Sequence, residues 1–130
     1  MSSNIPTETR TASILKDENG IILITMKNCG RVDEYDVVDF NLVLRHITEG
    51  KPALKLLDAR ASWNMDKKAR ERAKLENSPE STIARAVVVS NFIKARLFKF
   101  LHDLGKKNLP QEFFTDKEEA YAWLLNFKKD

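Results

Sequence analysis

The sequence predicts an α/β domain: a mixed, mostly parallel five-stranded sheet with an N-terminal antiparallel hairpin and four helices, in the order ββαβαβαβα. Three observations predict it. Short apolar runs (Ile21–Met26, Ala53–Asp58, Ile83–Val89) alternate with longer stretches of helical spacing, which implies parallel neighbours joined by right-handed crossovers. A strong turn signal, Asp17-Glu18-Asn19-Gly20, stands between Ser13–Lys16 and the run Ile21–Met26 and adds an antiparallel strand. The chain closes on LPQEFFTDKEEAYAWLLNF, a short strand followed by a capped helix.

Residues 1–10 carry no apolar pattern and are expected to form a flexible tail, with residues 11–130 as a single domain. The first hairpin joins a strand at Ser13–Lys16 to the run Ile21–Met26. Its Asn-Gly turn is favoured because both residues tolerate positive φ. Cys29-Gly30 breaks the second strand, and a helix follows over about Asp33–Thr48. Its apolar residues Tyr35, Val37, Val38, Phe40, Leu42, Val43, Leu44 and Ile47 form a band broader than one stripe, which predicts extensive burial against the sheet. Gly50 stops this helix and Pro52 prevents its continuation.

Ala53–Asp58 reads as a central strand, followed by the loop Ala59–Asn64 and a helix over about Asp66–Glu76. Residues 77–81 form a linker to the strand Ile83–Val89. Ser90 or Asn91 can cap a helix running to Leu104, with Ile93, Leu97, Leu101 and Leu104 at i, i+4, i+8 and i+11 and Gly105 as its end. In the closing segment, Thr115 is the expected N-cap and Glu118, three residues on, completes a capping box. Ala120, Trp123, Leu124 and Phe127 then form one apolar face.

Composition narrows the class. With 42% hydrophobic and 32% charged residues over 130 positions, the chain is long enough and apolar enough for one ordinary globular core. No apolar run approaches the ~18–20 residues of a membrane span, and the polar start MSSNIPTETR lacks the apolar region of a secretory signal. A cytoplasmic location is therefore expected, and the lone Cys29 suits a reducing compartment. The excess of 22 Lys and Arg over 19 Asp and Glu gives a net charge of +3, too small a bias to imply nucleic acid.

The hairpin, the strand-loop-helix over Ala53–Glu76 and the ending EFFTDKEEAYAWLL together resemble the SpoIIAA-like group of STAS-type domains, the superfamily of anti-sigma-factor antagonists. The ending is similar to the F-x-D-x-E-E-A-x-x-W-L closure common in that group. The resemblance implies the same α/β fold, no enzymatic activity, and protein–protein contacts in bacterial regulation or signalling. Antagonist-type members carry a phosphorylatable Ser in a D-S-x-G motif before a helix, whose N-terminus stabilises added negative charge. The matching segment here is Asp58–Asp66, where Ser62 is the only hydroxyl and the Asp-Ser pair and the Gly are absent. Ser62 is thus the candidate phosphoacceptor, against the plainer reading of a solvated loop Ser or N-cap.

In open α/β sheets, ligands gather at the carboxyl ends of the strands. Asp58 closes a central strand there, which makes Asp58, Arg60, Ser62, Trp63 and Asn64 the candidate partner or ligand loop. The competing expectation is that Trp63 folds back as a lid on the core and Asp58 pairs with Arg60. The helix that follows interleaves Lys67, Lys68, Arg70, Arg72 and Lys74 with only Ala69, Ala73 and Leu75, so it is expected to dock weakly. It reads either as a basic surface for an acidic partner or as a solvated helix balanced by Glu71 and Glu76.

A second basic strip, Lys94, Arg96, Lys99, Lys106 and Lys107, is interspersed with Phe92, Phe98 and Phe100. Aromatic stacking on single-stranded nucleic acid is disfavoured there against core packing or an apolar patch for a second subunit, so a homodimer is plausible. His46 lies where a cation suits the helix dipole, and His102 stands alone. Without H-x-x-x-H or C-x-x-C spacing no metal site is expected, and Cys29 reads as an inert turn thiol. No Walker A loop, dinucleotide fingerprint or G-x-S-x-G elbow is present, so neither an enzyme nor a cofactor is predicted. The alternative function is a small apolar-ligand or lipid carrier, because STAS-like folds resemble the SEC14-like type in topology and Phe92, Phe98 and Phe100 could line a cavity.

Overall fold

Asp17 organises the first turn. Its backbone N–H donates to the Ile21 carbonyl at 3.0 Å, and its Oδ1 accepts from the N–H groups of Asn19 and Ile21, both at 2.9 Å. Gly20 sits at φ +80°, a conformation a side chain would strain. The strands this turn joins are β2 (Ala12–Lys16) and β3 (Ile22–Met26), antiparallel with Ile14 opposite Ile24. The structure is a computed structural model describing residues 5–76, 81–91 and 109–128, and side chains of 74–76 lie outside the description.

The remaining elements are β1 (Thr7–Glu8), β4 (Gly30–Val32), α1 (Glu34–Thr48), β5 (Ala53–Asp58), β6 (Trp63–Met65), α2 (Lys67–Glu76), β7 (Thr82–Val88), β8 (Gln111–Phe114) and α3 (Lys117–Leu125). The main sheet has six strands in the order β1-β2-β3-β5-β7-β8. From β3 to β8 every pairing is parallel, as the alternation of strands and helices implies. A second, two-stranded sheet pairs β4 with β6 in parallel. Among the described residues no helix is long and apolar enough to cross a membrane.

The expected five strands are thus too few. β1 falls in the stretch expected to be a flexible tail, and it carries no apolar signal because both its residues are exposed. Backbone pairing holds it to β2, helped by the Glu8 carboxylate, which accepts from Ser13 at 2.6 Å and pairs with Lys27 at 2.8 Å. β4 and β6 are three residues each, too short for any alternation to be read. Three of the four expected helices are α1, α2 and α3, and the one expected up to Leu104 lies outside the described residues.

Helix ends show how local chemistry sets boundaries. Asp33 caps α1 in a full capping box, accepting from the Asp36 N–H at 2.9 Å while Asp36 accepts from the Asp33 N–H at 2.9 Å. Its C-cap is Glu49, at φ 56°, followed by Gly50 at φ 74°. At α3 the N-cap is Asp116 rather than Thr115: Asp116 Oδ1 accepts from the Glu118 N–H at 3.1 Å. A carboxylate is the stronger acceptor beside the positive helix end, and it moves the start by one residue.

Both faces of the sheet are covered. Leu54 and Leu56 of β5, with Ala84, Ala86 and Val88 of β7, pack under Ala120 and Leu124 of α3. Trp123 extends this layer with its ring 5.9 Å from Phe114 and 4.8 Å from Phe127. On the opposite face Ala12, Ile14, Ile22 and Ile24 pack under Phe40, Leu44 and Ile47 of α1. The buried stripe of α1 is narrower than its apolar composition suggests, since Tyr35 and Leu42 are 73% and 57% exposed.

Two polar ties join distant segments. Tyr121 of α3 donates to Asp17 Oδ2 and accepts from Asn19 Nδ2 at 2.9 Å, which fixes the hairpin turn to the last helix. Arg10 pairs with Asp36 through two hydrogen bonds and also donates to the Arg31 carbonyl at 2.8 Å, linking the start of β2 to β4 and α1. The Arg10 guanidinium holds the Asp36 carboxyl below the ordinary Asp value of 3.8, against the opposing effect of burial. The stability from this depressed pKa is complete above 3.8 and is lost as the pH falls through the lower folded value. Arg10→Gln should therefore lower the melting temperature at neutral pH, and the two melting curves should converge on acidification below the Asp range; equal temperatures at pH 7 would refute the tie.

Candidate functional site

The loop after β5 is held in place from both sides. Asp58 is buried at the strand end, and Arg60 folds back on it with hydrogen bonds of 2.9 Å from Nε and 2.7 Å from an Nη. The Arg60 backbone N–H adds a third, at 3.2 Å. Burial pushes the Asp58 carboxyl up, but these bonds outweigh it and leave it below the usual carboxylate value. Trp63 turns inward: its indole N–H donates to the Ala59 carbonyl at 3.2 Å, and its ring packs against Val87 and Val89 on one side and Val32 and Ala69 on the other. Of the five loop residues singled out from the sequence, Arg60, Ser62 and Asn64 stay on the surface. The Ser62 backbone N–H donates to Asn28 Oδ1 at 2.7 Å.

Asp66 precedes α2 and caps it: its Oδ1 accepts from the Ala69 N–H at 2.8 Å. Ala69 is fully buried against Val32 and Val37, so small residues let this basic helix approach closely. Lys67, Lys68 and Arg70 are exposed and Arg72 is half-buried; the Lys74 side chain lies outside the described residues. Arg70 donates to the Met65 carbonyl at 2.7 Å, which bends it over the end of β6.

Beneath α1 and α2, against the sheet, lies a cavity of about 320 Å³. That is the small end of the range for small-molecule sites, about 300–1,000 Å³. Its walls are chiefly apolar, with Ile24, Phe40, Leu44, Leu57, Trp63 and Val87 among the lining residues. The α1 side is wall because Phe40 and Leu44 follow at i and i+4, and the sheet side because Leu57 and Val87 pair across β5 and β7. Phe92, Phe98 and Phe100, the residues expected to line such a cavity, lie outside the described residues.

One charge breaks the apolar pattern. Lys55, in the middle of β5, is 7% exposed and lines the cavity. Its ammonium donates to the Thr82 hydroxyl at 2.7 Å. The strand register sets Arg85 opposite it, and Arg85 Nε donates to Gln111 at 2.5 Å. Burial, aided by the neighbouring Arg85 charge, pushes Lys55 down from 10.5 to about 8. Lys55 thus remains mostly charged at neutral pH, and the more strongly basic Arg85 stays charged beside it.

The family profile described as a domain of unknown function, DUF7793, matches residues 15–128. The chain belongs to the DUF7793 family. No curated protein matches it. Among solved structures, the DUF7793 domain is similar to an uncharacterised protein of the DUF3478 family from Shewanella loihica PV-4, whose crystal structure has a SpoIIAA-like fold. The two share 18% identity with a TM-score of 0.65, over 95% of this chain and 98% of that one. The DUF7793 domain therefore has a SpoIIAA-like fold, and the resemblance read from the hairpin and the closing helix holds at that level.

Sequence reasoning passed over Lys55 because ALKLLD reads as an apolar run. A signal was available: a central parallel strand is covered on both faces, so a lysine in its middle has no exit to water. The penalty of this buried charge is complete below about pH 8 and is relieved between about 8 and 10.5, where only the unfolded chain holds the proton. Lys55→Met should stabilise the DUF7793 domain at pH 7 by up to about 3 kcal/mol and abolish the rise in stability over that alkaline window. Chemical denaturation at pH 7 and pH 10 checks this, and a destabilised variant would contradict it.

Proposed function

We propose that this domain is a cytoplasmic, non-enzymatic binding module whose cavity beneath α1 holds a small apolar ligand. The observation that supports this reading is the 320 Å³ space walled by Phe40, Leu44, Leu57 and Val87 in an otherwise close-packed core. The space is partly open to solvent, as ligand entry requires, and its volume lies within the range of small-molecule sites. Trp63 links the cavity to the loop, since the same indole lines the space and anchors the backbone at Ala59.

A second reading, contact with a protein partner in bacterial regulation, is favoured by a different observation. Arg60, Ser62 and Asn64 are exposed on the loop, and the exposed Lys67, Lys68 and Arg70 adjoin them on α2. This surface suits an acidic partner, and a phosphate on Ser62 would offset part of its positive charge.

Native mass spectrometry of freshly purified protein should reveal a bound mass that is lost on organic denaturation. Val87→Phe, which fills the cavity from its sheet side, should weaken binding of a neutral fluorescent apolar probe by about tenfold or more. Unchanged probe affinity in that variant would remove the cavity reading. For the partner surface, charge reversal at Lys67 and Lys68 together should abolish capture of a partner by the tagged protein, with the melting temperature unchanged. Undiminished capture would discard that face.

A further inference from the structure

We infer that the ligand of this cavity carries an anionic head that seats on the Lys55 ammonium, and that it is a medium-chain fatty monocarboxylate. The inference rests on the cavity reading above and specifies the chemistry of its occupant. Lys55 has three N–H donors, and among the described residues one is used, by the neutral Thr82 hydroxyl. No carboxylate faces it there. Asp36, which lines the same cavity, has both oxygens held by Arg10.

A buried ammonium without a counter-charge is costly, and such groups persist where something supplies the charge. The cavity is where a supplier can sit: Lys55 is 7% exposed and borders the space. Arg85 across the strand pair adds positive potential to the same wall. The rest of the wall is apolar, with Ile24, Phe40, Leu44 and Leu57, which suits a hydrocarbon tail.

Size and charge select the head group and the length. A carboxylate carries one charge and accepts from the Lys55 ammonium without further donors, whereas a phosphate dianion calls for a larger set. A volume of about 320 Å³ admits a chain on the order of eight carbons. An uncharged ligand of equal length would fill the same walls and leave Lys55 uncompensated.

The test compares octanoate with 1-octanol, which differ in charge and hardly in shape, by isothermal titration at pH 7. Wild-type protein should bind octanoate at least about tenfold more tightly than octanol. In Lys55→Met that preference should vanish while octanol binding persists, which also shows that the variant is folded. Lys55→Gln, which keeps a neutral donor, replaces it if the Met variant fails to fold, with the same loss expected. Equal affinities in the wild type, or a preference that survives both substitutions, would overturn the anionic head and leave the apolar cavity standing. Binding of neither compound would overturn the cavity reading and this inference together.

Discussion

The architecture depends on covering both faces of β5. A parallel strand at the centre of a sheet has no solvent side, so each neighbour and each helix is constrained by what β5 presents above and below. Leu54 and Leu56 point to one layer, where α3 closes over Ala84, Ala86 and Val88. Ala53 and Leu57 point to the other, where α1 packs over Ile22 and Ile24. The first layer is filled tightly by small residues on β7 and by Leu124, which is fully buried. The second contains the cavity, and it contains it at the position where Lys55 takes the place of an apolar side chain.

That arrangement places a stabilising and a destabilising feature on one strand. Leu56, a residue away from Lys55, is wholly buried on the α3 face. Lys55 pays the desolvation of an ammonium on the other face, with a hydroxyl as its hydrogen-bond partner. Around them, among the described residues, the two buried carboxylates are neutralised in pairs at the ends of elements: Asp58 with Arg60 at the end of β5, and Asp36 with Arg10 at the start of α1. Those pairs fix where the chain turns. The contrast with Lys55 gives the cavity its chemical character.

Much of the framework was legible from residue patterns. The Asn-Gly turn, the apolar runs of β3, β5 and β7 and the apolar face of α3 each announce themselves through local spacing, and the SpoIIAA-like closure from Phe114 to Leu124 carries the fold class. The misses share a physical cause. β1, β4 and β6 are short or exposed, so their existence depends on a partner strand that local sequence does not contain. The N-cap at Asp116 instead of Thr115 was a choice between two adjacent acceptors, settled by charge at the helix end. In the loop after β5, by contrast, the expectation that Asp58 pairs with Arg60 and that Trp63 folds back on the core holds: the carboxylate is paired, and the indole is turned inward.

By itself the sequence determined the α/β class, the alternation that makes the central strands parallel, the first turn and the identity of the closing helix, because these follow from periodicity, turn chemistry and capping within a few residues. Only the tertiary structure decided that a minor β4–β6 sheet ties the loop to α1 and that Lys55 is enclosed beside an apolar cavity. Burial is a property of what surrounds a side chain, and for Lys55 the surroundings come from β7, from Thr82 and from the elements that wall the cavity, all distant in sequence.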